Sequence, residues 1–378
     1  MLRATSPQIN NPLEAANLKA LCELTGPCIT VLLPNYRPGA ASAPEAVSLK
    51  QLIRTAAELP AIRRMGQEAA ALLTPLSDLA AAEELESGGV GFALFSAPGF
   101  TAGFRNGLQA GSKLSVGKHA FVRPLLAEAY APSDVFALGV SRKHLRLFRC
   151  RHSMAEELEL PAGVPRNITE AVDSDQPDHD LANRSASGTS TGSAFAVRFG
   201  TGSDREAAPE YLHHFFALID RGLHPLVKNA PVFPMGVAEE IAAFRKAARH
   251  LNLLEDYAAG SAEMFTAEET ARKAREAALA EYRRRGEAVM AEFREMPDRG
   301  RTSSMLSQVL TAAEQGRIHQ VILAEEAEIP AAHRKQLIEG EDVLNAIAVE
   351  TIRNGGDVFT LPAQAMDDVT PVAAILRY

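Results

Sequence analysis

Short apolar runs rich in β-branched residues, each bounded by turn residues and followed by alanine- and leucine-rich stretches, restrict this chain to a mixed α/β architecture. Cys28-Ile29-Thr30-Val31-Leu32-Leu33, held between Pro27 and Pro34, is the first such run and reads as a buried strand. Asn11 as N-cap and Pro12 at the first helical position predict an opening helix to about Cys22. Three helical stretches are expected over 44–58, 60–73 and 75–85, stopped by Gly88-Gly89. Val90 to Ser96 and Phe100 to Arg105 flank Pro98-Gly99 and form a β-hairpin by pattern. Residues 116–126 read as an extended segment interrupted by Pro124, and a first α/β domain closes near Ala131-Pro132.

A second hairpin opens the middle of the chain. Asp134 to Ser141 and Leu145 to Cys150 are joined by Arg142-Lys143-His144, and a third short strand follows at Glu156 to Leu160. Five basic residues lie between Arg142 and Arg151 with no acid among them, and alternation puts Leu145 and Leu147 on one face and Arg146 on the other. An exposed basic strand and an RNA-phosphate surface are both compatible with that pattern. Ser203 to Glu206 reads as a capped helix start, with Leu212, Phe215, Phe216 and Ile219 continuing one apolar face. Pro231 to Gly236 is a buried strand, followed by a helix from Val237 to about Leu251.

Thr266-Ala267-Glu268-Glu269 marks the N-terminus of a long helix reaching about Met296, with Arg283 to Arg285 on its solvent face. A helix over 303–315, a strand from Ile318 to Ala324, a helix from Glu341 to Asn354 closed by Gly355-Gly356, and strands at Val358 to Leu361 and Ala373 to Tyr378 complete the reading. The length suggests two or three domains, each large enough to bury a core, and the expected division is 1–131, 132–257 and 258–378.

Charge and cysteine content narrow the function classes. The 39 Lys and Arg against 47 Asp and Glu give a formal net charge of -8, so a nucleic-acid surface would have to be a local patch. Cys22, Cys28 and Cys150 show neither metal-ligand spacing nor an even disulfide framework, which fits a reducing cytoplasm. No run approaches the ~18 apolar residues of a membrane span, so neither secretion nor membrane insertion is expected. The acidic run Asp173 to Asp180 lacks the Gly and distal Glu of a calcium loop and reads as a solvated loop, and the adjacent His213 and His214 sit about 100° apart on a helix. No metal and no cofactor is expected, and phosphate-binding glycine signatures are missing.

The stretch Leu181 to Gly202, LANRSASGTSTGSAFAVRFGTG, is the part least suited to regular structure. Its Ser, Thr, Gly and Asn residues favour turns, so 183–193 reads as an exposed loop bearing Arg184 and several hydroxyls. Gly188-Thr189-Ser190-Thr191-Gly192 spells Gly-x-Ser-x-Gly, but no strand precedes it, no helix directly follows it, and no His or Asp partner is assignable. Ser190, Thr191, Gly192 and Ser193 are therefore candidates only, and whether the chain is an enzyme stays open.

Three features resemble the bacterial archaeo-eukaryotic release factor family, relatives of eukaryotic class-I release factor and pelota. They are Val372 to Tyr378 after Gly355-Gly356-Asp357-Val358, Ala312 to Ile318 running into Val321-Ile322-Leu323, and Phe136 to His144 followed by Leu145 to Arg149 and Leu158 to Pro161. The resemblance implies a ribonuclease-H-like middle domain, an L7Ae-like C-terminal domain, and a bacterial, cytoplasmic factor with the ribosome or tRNA as partner. The charge pattern supplies the candidate RNA contacts for such a factor: Arg142, Lys143, Arg146, Arg149, Arg184 and Arg198. The loop 183–193 then matches the place where release factors carry Gly-Gly-Gln, yet Thr191-Gly192-Ser193 or Ser187-Gly188-Thr189 stands there, and Ala194 to Phe199 is similar to the apolar-Arg-Phe continuation. Without that glutamine, peptidyl-tRNA hydrolysis by the family mechanism stays open, since hydroxyl and backbone groups could still order a water; a non-catalytic binding protein or a loop-centred hydrolase is the alternative.

Overall fold

The computed structural model describes residues 12–33, 49–81, 91–107, 112–151, 154–174, 209–261, 263–296, 300–327, 329, 341–366 and 370–378. Residue contacts group into two units, Met1–Ala131 with Tyr282–Tyr378, and Pro132–Glu281.

The N-terminal part of the first unit holds helix α1 (Ala15–Cys22), strand β1 (Cys28–Leu33), helices α2 (Leu49–Glu58), α3 (Pro60–Arg63) and α4 (Gln67–Ala81), and strands β2 (Gly91–Ala97), β3 (Phe100–Asn106) and β4 (Lys113–Gly117). These strands make an antiparallel sheet in the order β3-β2-β1-β4. Both of its faces are covered. Ile29, Val31, Leu33, Phe92 and Leu94 pack with Leu52, Ile53, Leu72 and Leu76 of the helices, while Cys28, Leu32, Ala93 and Phe95 share a core with C-terminal residues. That double burial is why β1 reads as an unbroken apolar run instead of an alternation.

Three expectations change here. Pro12 does not start a helix: it forms a parallel bridge with Arg105, the Leu13 N–H donates to the Arg105 carbonyl, and the helix begins at Ala15. Pro75 does not separate two helices but lies inside α4, because Leu72 and Leu76 on either side of it are both buried and carry the helix through. Residues 116–126 are extended only to Gly117; a 3₁₀ turn Arg123–Leu125 with Pro124 in it and helix α5 (Leu126–Tyr130) follow.

The second unit is built on β5 (Asp134–Val140), β6 (Leu145–Arg151), β7 (Met154–Leu158), β8 (Pro231–Gly236), β9 (Asn252–Leu253) and β10 (Ala258–Ala259), with helices α6 (Ile168–Ser174), α7 (Pro209–Val227) and α8 (Ala238–Ala247). β5, β6 and β7 form an antiparallel meander, β8 joins β5 in parallel, and β9 and β10 both lie parallel to the far edge of β8. Phe136, Leu138, Val140, Leu145 and Leu147 face Phe215, Phe216, Ile219 and Phe244 of the helices. The acidic run keeps helical order to Ser174, and its remainder, like the expected helix start at 203–206, lies outside the described residues.

Helix α9 (Ala267–Glu295) begins as expected, with Thr266 Oγ1 accepting from the Glu269 N–H at 3.2 Å and the Glu269 carboxylate accepting from the Thr266 N–H at 3.2 Å. β11 (Thr302–Ser303), α10 (Leu306–Glu314), β12 (Ile318–Ala324), α11 (Val343–Arg353), β13 (Asp357–Leu361) and β14 (Val372–Leu376) complete the chain, in a sheet ordered β11-β14-β12-β13. The expected helix over 303–315 starts later, since Thr302 and Ser303 pair with Ile375 and Ala374 as a strand. Gly355 at φ +72° ends α11 in the left-handed region. Among the described residues no helix is long and apolar enough to cross a membrane.

Within the first unit, residues 117–123 are fastened to α11 and the residues just before it by polar side chains. Asn345 Oδ1 accepts from the Val122 and Arg123 N–H groups at 2.9 and 3.0 Å, and its Nδ2 donates to the Ala120 carbonyl at 2.9 Å. The Arg123 guanidinium, 2% exposed, donates to Asp342 at 3.0 Å and to the carbonyls of Ala324 and Glu325. Asn345→Leu keeps the volume but strands two N–H groups and a carbonyl, so we expect a loss of about 3 kcal/mol in unfolding free energy, read by urea denaturation.

Candidate nucleic-acid interface

Strand register determines what the basic hairpin can present. Arg149 stands opposite Phe136 and Arg146 opposite Gly139 on β5, one residue out of phase, so the two arginines lie on opposite faces of the sheet. Arg146 shares its face with Phe148, over whose ring its guanidinium carbon sits at 4.7 Å; Arg149 is 5.9 Å from the Phe136 ring.

Acids from neighbouring elements meet these cations. Arg146 makes a fork with Glu157 of β7, Nε to Oε1 at 2.7 Å and Nη2 to Oε2 at 2.8 Å, and its Nη1 points at the carbonyls of Glu263 and Phe265 at 3.5 and 3.4 Å. The hydrogen bonds from Arg146 hold the Glu157 carboxyl below its ordinary pKa against a small burial effect. Arg149 Nε donates to both oxygens of Asp134 at 2.9 and 3.2 Å, and Arg151 stands 3.5 Å from the same carboxylate. That contact with Arg149, more than any other influence, lowers the pKa of Asp134. Arg142 lies 3.7 Å from Glu240 of α8, and His144 lies 3.3 Å from Glu263. Lys143, at the turn, is exposed. Cys150 is buried, which pushes its thiol up to about 12 and leaves it neutral.

Four of the six expected RNA-contact residues, Arg142, Lys143, Arg146 and Arg149, therefore come together on one hairpin. Arg184 and Arg198, the loop 183–193 with Ser190, Thr191, Gly192 and Ser193, and the expected strand at 194–199 lie outside the described residues. The carboxylates of Asp134, Glu157, Glu240 and Glu263 were not singled out from the sequence. Glu156 and Glu157 sit opposite Arg149 and Phe148 in the β6 and β7 register, which a strand-pairing assignment would have exposed.

A separate charged group lies in the same unit. Asp220 on α7, 1% exposed, accepts from the backbone N–H groups of Arg249, His250 and Leu251 at 2.9 to 3.1 Å and from His250 Nδ1 at 2.7 Å. Burial alone would raise its pKa, but these donors outweigh it and lower it. The carboxylate thus closes the loop after α8. Among the described residues no group of three His, Cys, Asp or Glu is disposed to hold a metal ion.

Comparison with known proteins follows from this architecture. The model of bacterial archaeo-eukaryotic release factor family 3 matches residues 136–317. The family resemblance drawn from the sequence is borne out, and the match begins in the strand that opens the basic hairpin. Among solved structures, an archaeal translation termination factor, aRF1, is similar at 14% identity, with 96% of this chain and 97% of that one covered and a TM-score of 0.25. Archaeoglobus fulgidus Pelota follows at 13% identity, 76% and 79% coverage and a TM-score of 0.35, and S. cerevisiae Dom34, a translation termination-like factor, at 12% identity, 74% and 73% coverage and a TM-score of 0.31. No curated protein matches the chain.

Two measurements check the electrostatics. A double-mutant cycle between Arg146→Ala and Glu157→Ala is expected to give a coupling of about 0.5–1 kcal/mol that shrinks in high salt, since the carboxylate is half exposed. Asp220→Asn is expected to cost about 2 kcal/mol at neutral pH by chemical denaturation. Because Asp220 has a lowered folded pKa, its contribution is present above the ordinary aspartate value and is lost as pH falls through the folded one. The stabilities of wild type and variant should therefore converge in acid.

Proposed function

We propose that the chain is a translation-related factor that associates with the ribosome or tRNA through RNA-phosphate contacts. The observation that carries this reading is the release factor family match over 136–317, which contains Arg142, Lys143, Arg146 and Arg149 of the basic hairpin. The meander β5-β6-β7, with β8 added in parallel beside β5, supports a ribonuclease-H-like middle domain at 132–257. The β12-α11-β13 crossover with β14 antiparallel beside it supports an L7Ae-like domain at 258–378, next to an N-terminal domain at 1–131. A cytoplasmic location in a bacterium follows from the same family reading.

Arg142, Lys143, Arg146 and Arg149, with Arg184 and Arg198, are the proposed phosphate contacts. The paired arginines can exchange carboxylate for phosphate, because guanidinium offers both partners the same fork. Arg142 and Lys143 at the turn need little rearrangement to do so. The loop 183–193 is the proposed point of approach to RNA, and no hydrolytic chemistry is assigned to it, since Gly-Gly-Gln does not occur in the sequence.

Co-sedimentation of the full chain with bacterial ribosomes at low and high salt tests the proposal. Salt-sensitive binding is expected, weakened roughly tenfold by the pair Arg142→Ala and Lys143→Ala and strengthened by Glu157→Gln, which frees Arg146. Absence of binding at low salt would overturn the reading.

A further inference from the structure

His119 is buried in the first unit, 3% exposed, between two carboxylates. Its Nδ1 lies 2.6 Å from Glu341 Oε1 and its Nε2 lies 3.0 Å from Glu350 Oε1. A neutral imidazole has one N–H donor and one lone pair, so in the neutral form one ring nitrogen would set its lone pair against a carboxylate oxygen. Only the imidazolium donates to both. Glu341 also accepts from the Lys118 and His119 N–H groups at 3.0 and 3.1 Å, and a Cβ on Gly117 would come within 2.8 Å of its carboxyl carbon. The carboxylate therefore sits in a cradle made by residues 117–119.

We propose that His119 is a protonation-dependent latch: as the imidazolium it ties residues 117–123 to Glu341 and to α11, and on deprotonation that docking loosens.

The charged groups described around the latch fit this assignment. Glu350 is also bound by Arg353 Nη1 at 2.7 Å, and Arg353 donates through Nε and Nη2 to the Cys22 carbonyl at the end of α1, at 3.1 and 2.6 Å. Lys118, on the latch segment itself, adds positive charge near Glu350. Cys22 of α1 and Cys28 of β1 also face the group; burial pushes both thiols up to about 12, so neither ionises before the histidine. Arg123 and Asp342 form a separate buried pair at 3.0 Å. Lys118 is exposed and screened by water; among the groups drawn in from solvent, two carboxylates, one guanidinium and one imidazolium sum to zero, and removing the imidazolium proton leaves one negative charge in excess.

Burial alone would lower the His119 pKa, but the hydrogen bonds and charges of Glu341 and Glu350 outweigh it and raise it. A histidine with a raised folded pKa contributes stability in full below its unfolded value and loses it as pH rises through the folded one. Glu350, lowered chiefly by its hydrogen bond from His119, has the opposite dependence and loses its contribution in acid. The latch is closed between the ordinary glutamate and histidine ranges and opens towards alkaline pH.

The test compares the full-length wild type with Glu350→Gln. In that variant a neutral His119 donates to Glu341 and accepts from the Gln amide, so the docking no longer needs the second proton. Hydrogen exchange of residues 117–123, corrected for intrinsic rates between about pH 6 and about pH 9.5, should show wild-type protection falling about tenfold while the variant stays flat. Parallel profiles in the two proteins would overturn the proposal. Should Glu350→Gln fail to fold, the His119 ring resonance of the wild type decides the matter. Titration above the ordinary histidine value sustains the latch, and titration below it overturns it.

Discussion

The desolvation of residues 117–123 is the constraint on which the first unit depends. This stretch leaves β4 at Gly117 and enters the 3₁₀ turn at Arg123, so most of the backbone groups between those two residues have neither a strand nor a helix to satisfy them. Apart from the exposed Lys118 it is nevertheless buried, with Ala120, Phe121 and Val122 in the core. Its partners come from far along the chain. Asn345 takes three of the backbone groups, Glu341 two, and Thr30 Oγ1 accepts from the Phe121 N–H at 3.0 Å. Each unmade bond of this kind would cost on the order of 1–3 kcal/mol, so these side chains decide where the apolar residues of the stretch can go. The shared core in which Leu32, Phe95 and Phe121 meet Leu344, Ile347 and Val349 is the consequence.

Buried charge makes the same arrangement exacting. Arg123 and His119 are almost wholly removed from water, as is Glu341, and an ion in that position is tolerated only when its counter-charge and every donor or acceptor is placed. Apolar packing admits many near-equivalent arrangements, whereas a fork to Asp342 and two carbonyls admits very few. The polar residues thus supply specificity and the apolar ones most of the driving force.

The hairpin of the second unit shows the opposite regime. Arg146, Arg149 and their acidic partners are partly exposed, the net stabilisation from each pair is small, and the same arginines stay available to a competing anion. A stretch with five cations and no acid looked strongly basic along the chain, and in the sheet it is interleaved with carboxylates from β5 and β7. Its remaining positive character is concentrated at the turn, around Lys143.

Much of the architecture was legible in the amino-acid order. Strands such as Cys28–Leu33, Pro231–Gly236 and Ile318–Ala324, the hairpins at Pro98-Gly99 and Arg142 to His144, and the capped start of the helix at Thr266 follow from local propensity, alternation and turn chemistry. The position of the basic hairpin was legible for the same reason. Where sequence reading failed, a distant partner had overruled a local signal: Pro12 was drawn into a bridge with Arg105, and Thr302-Ser303 paired with β14. Pro75 was carried inside a helix by two buried leucines. The charge pairs of the hairpin needed the strand register, which alternation within one strand does not give, and the surroundings of His119 were not legible at all, because Glu341 and Glu350 stand more than 200 residues away along the chain. The sequence alone determined which segments are strands and helices, since that depends on neighbours within a few residues. Only the tertiary structure decided which charges are neutralised and which proton is held, since those depend on burial and on side chains that folding brings within 3 Å or so.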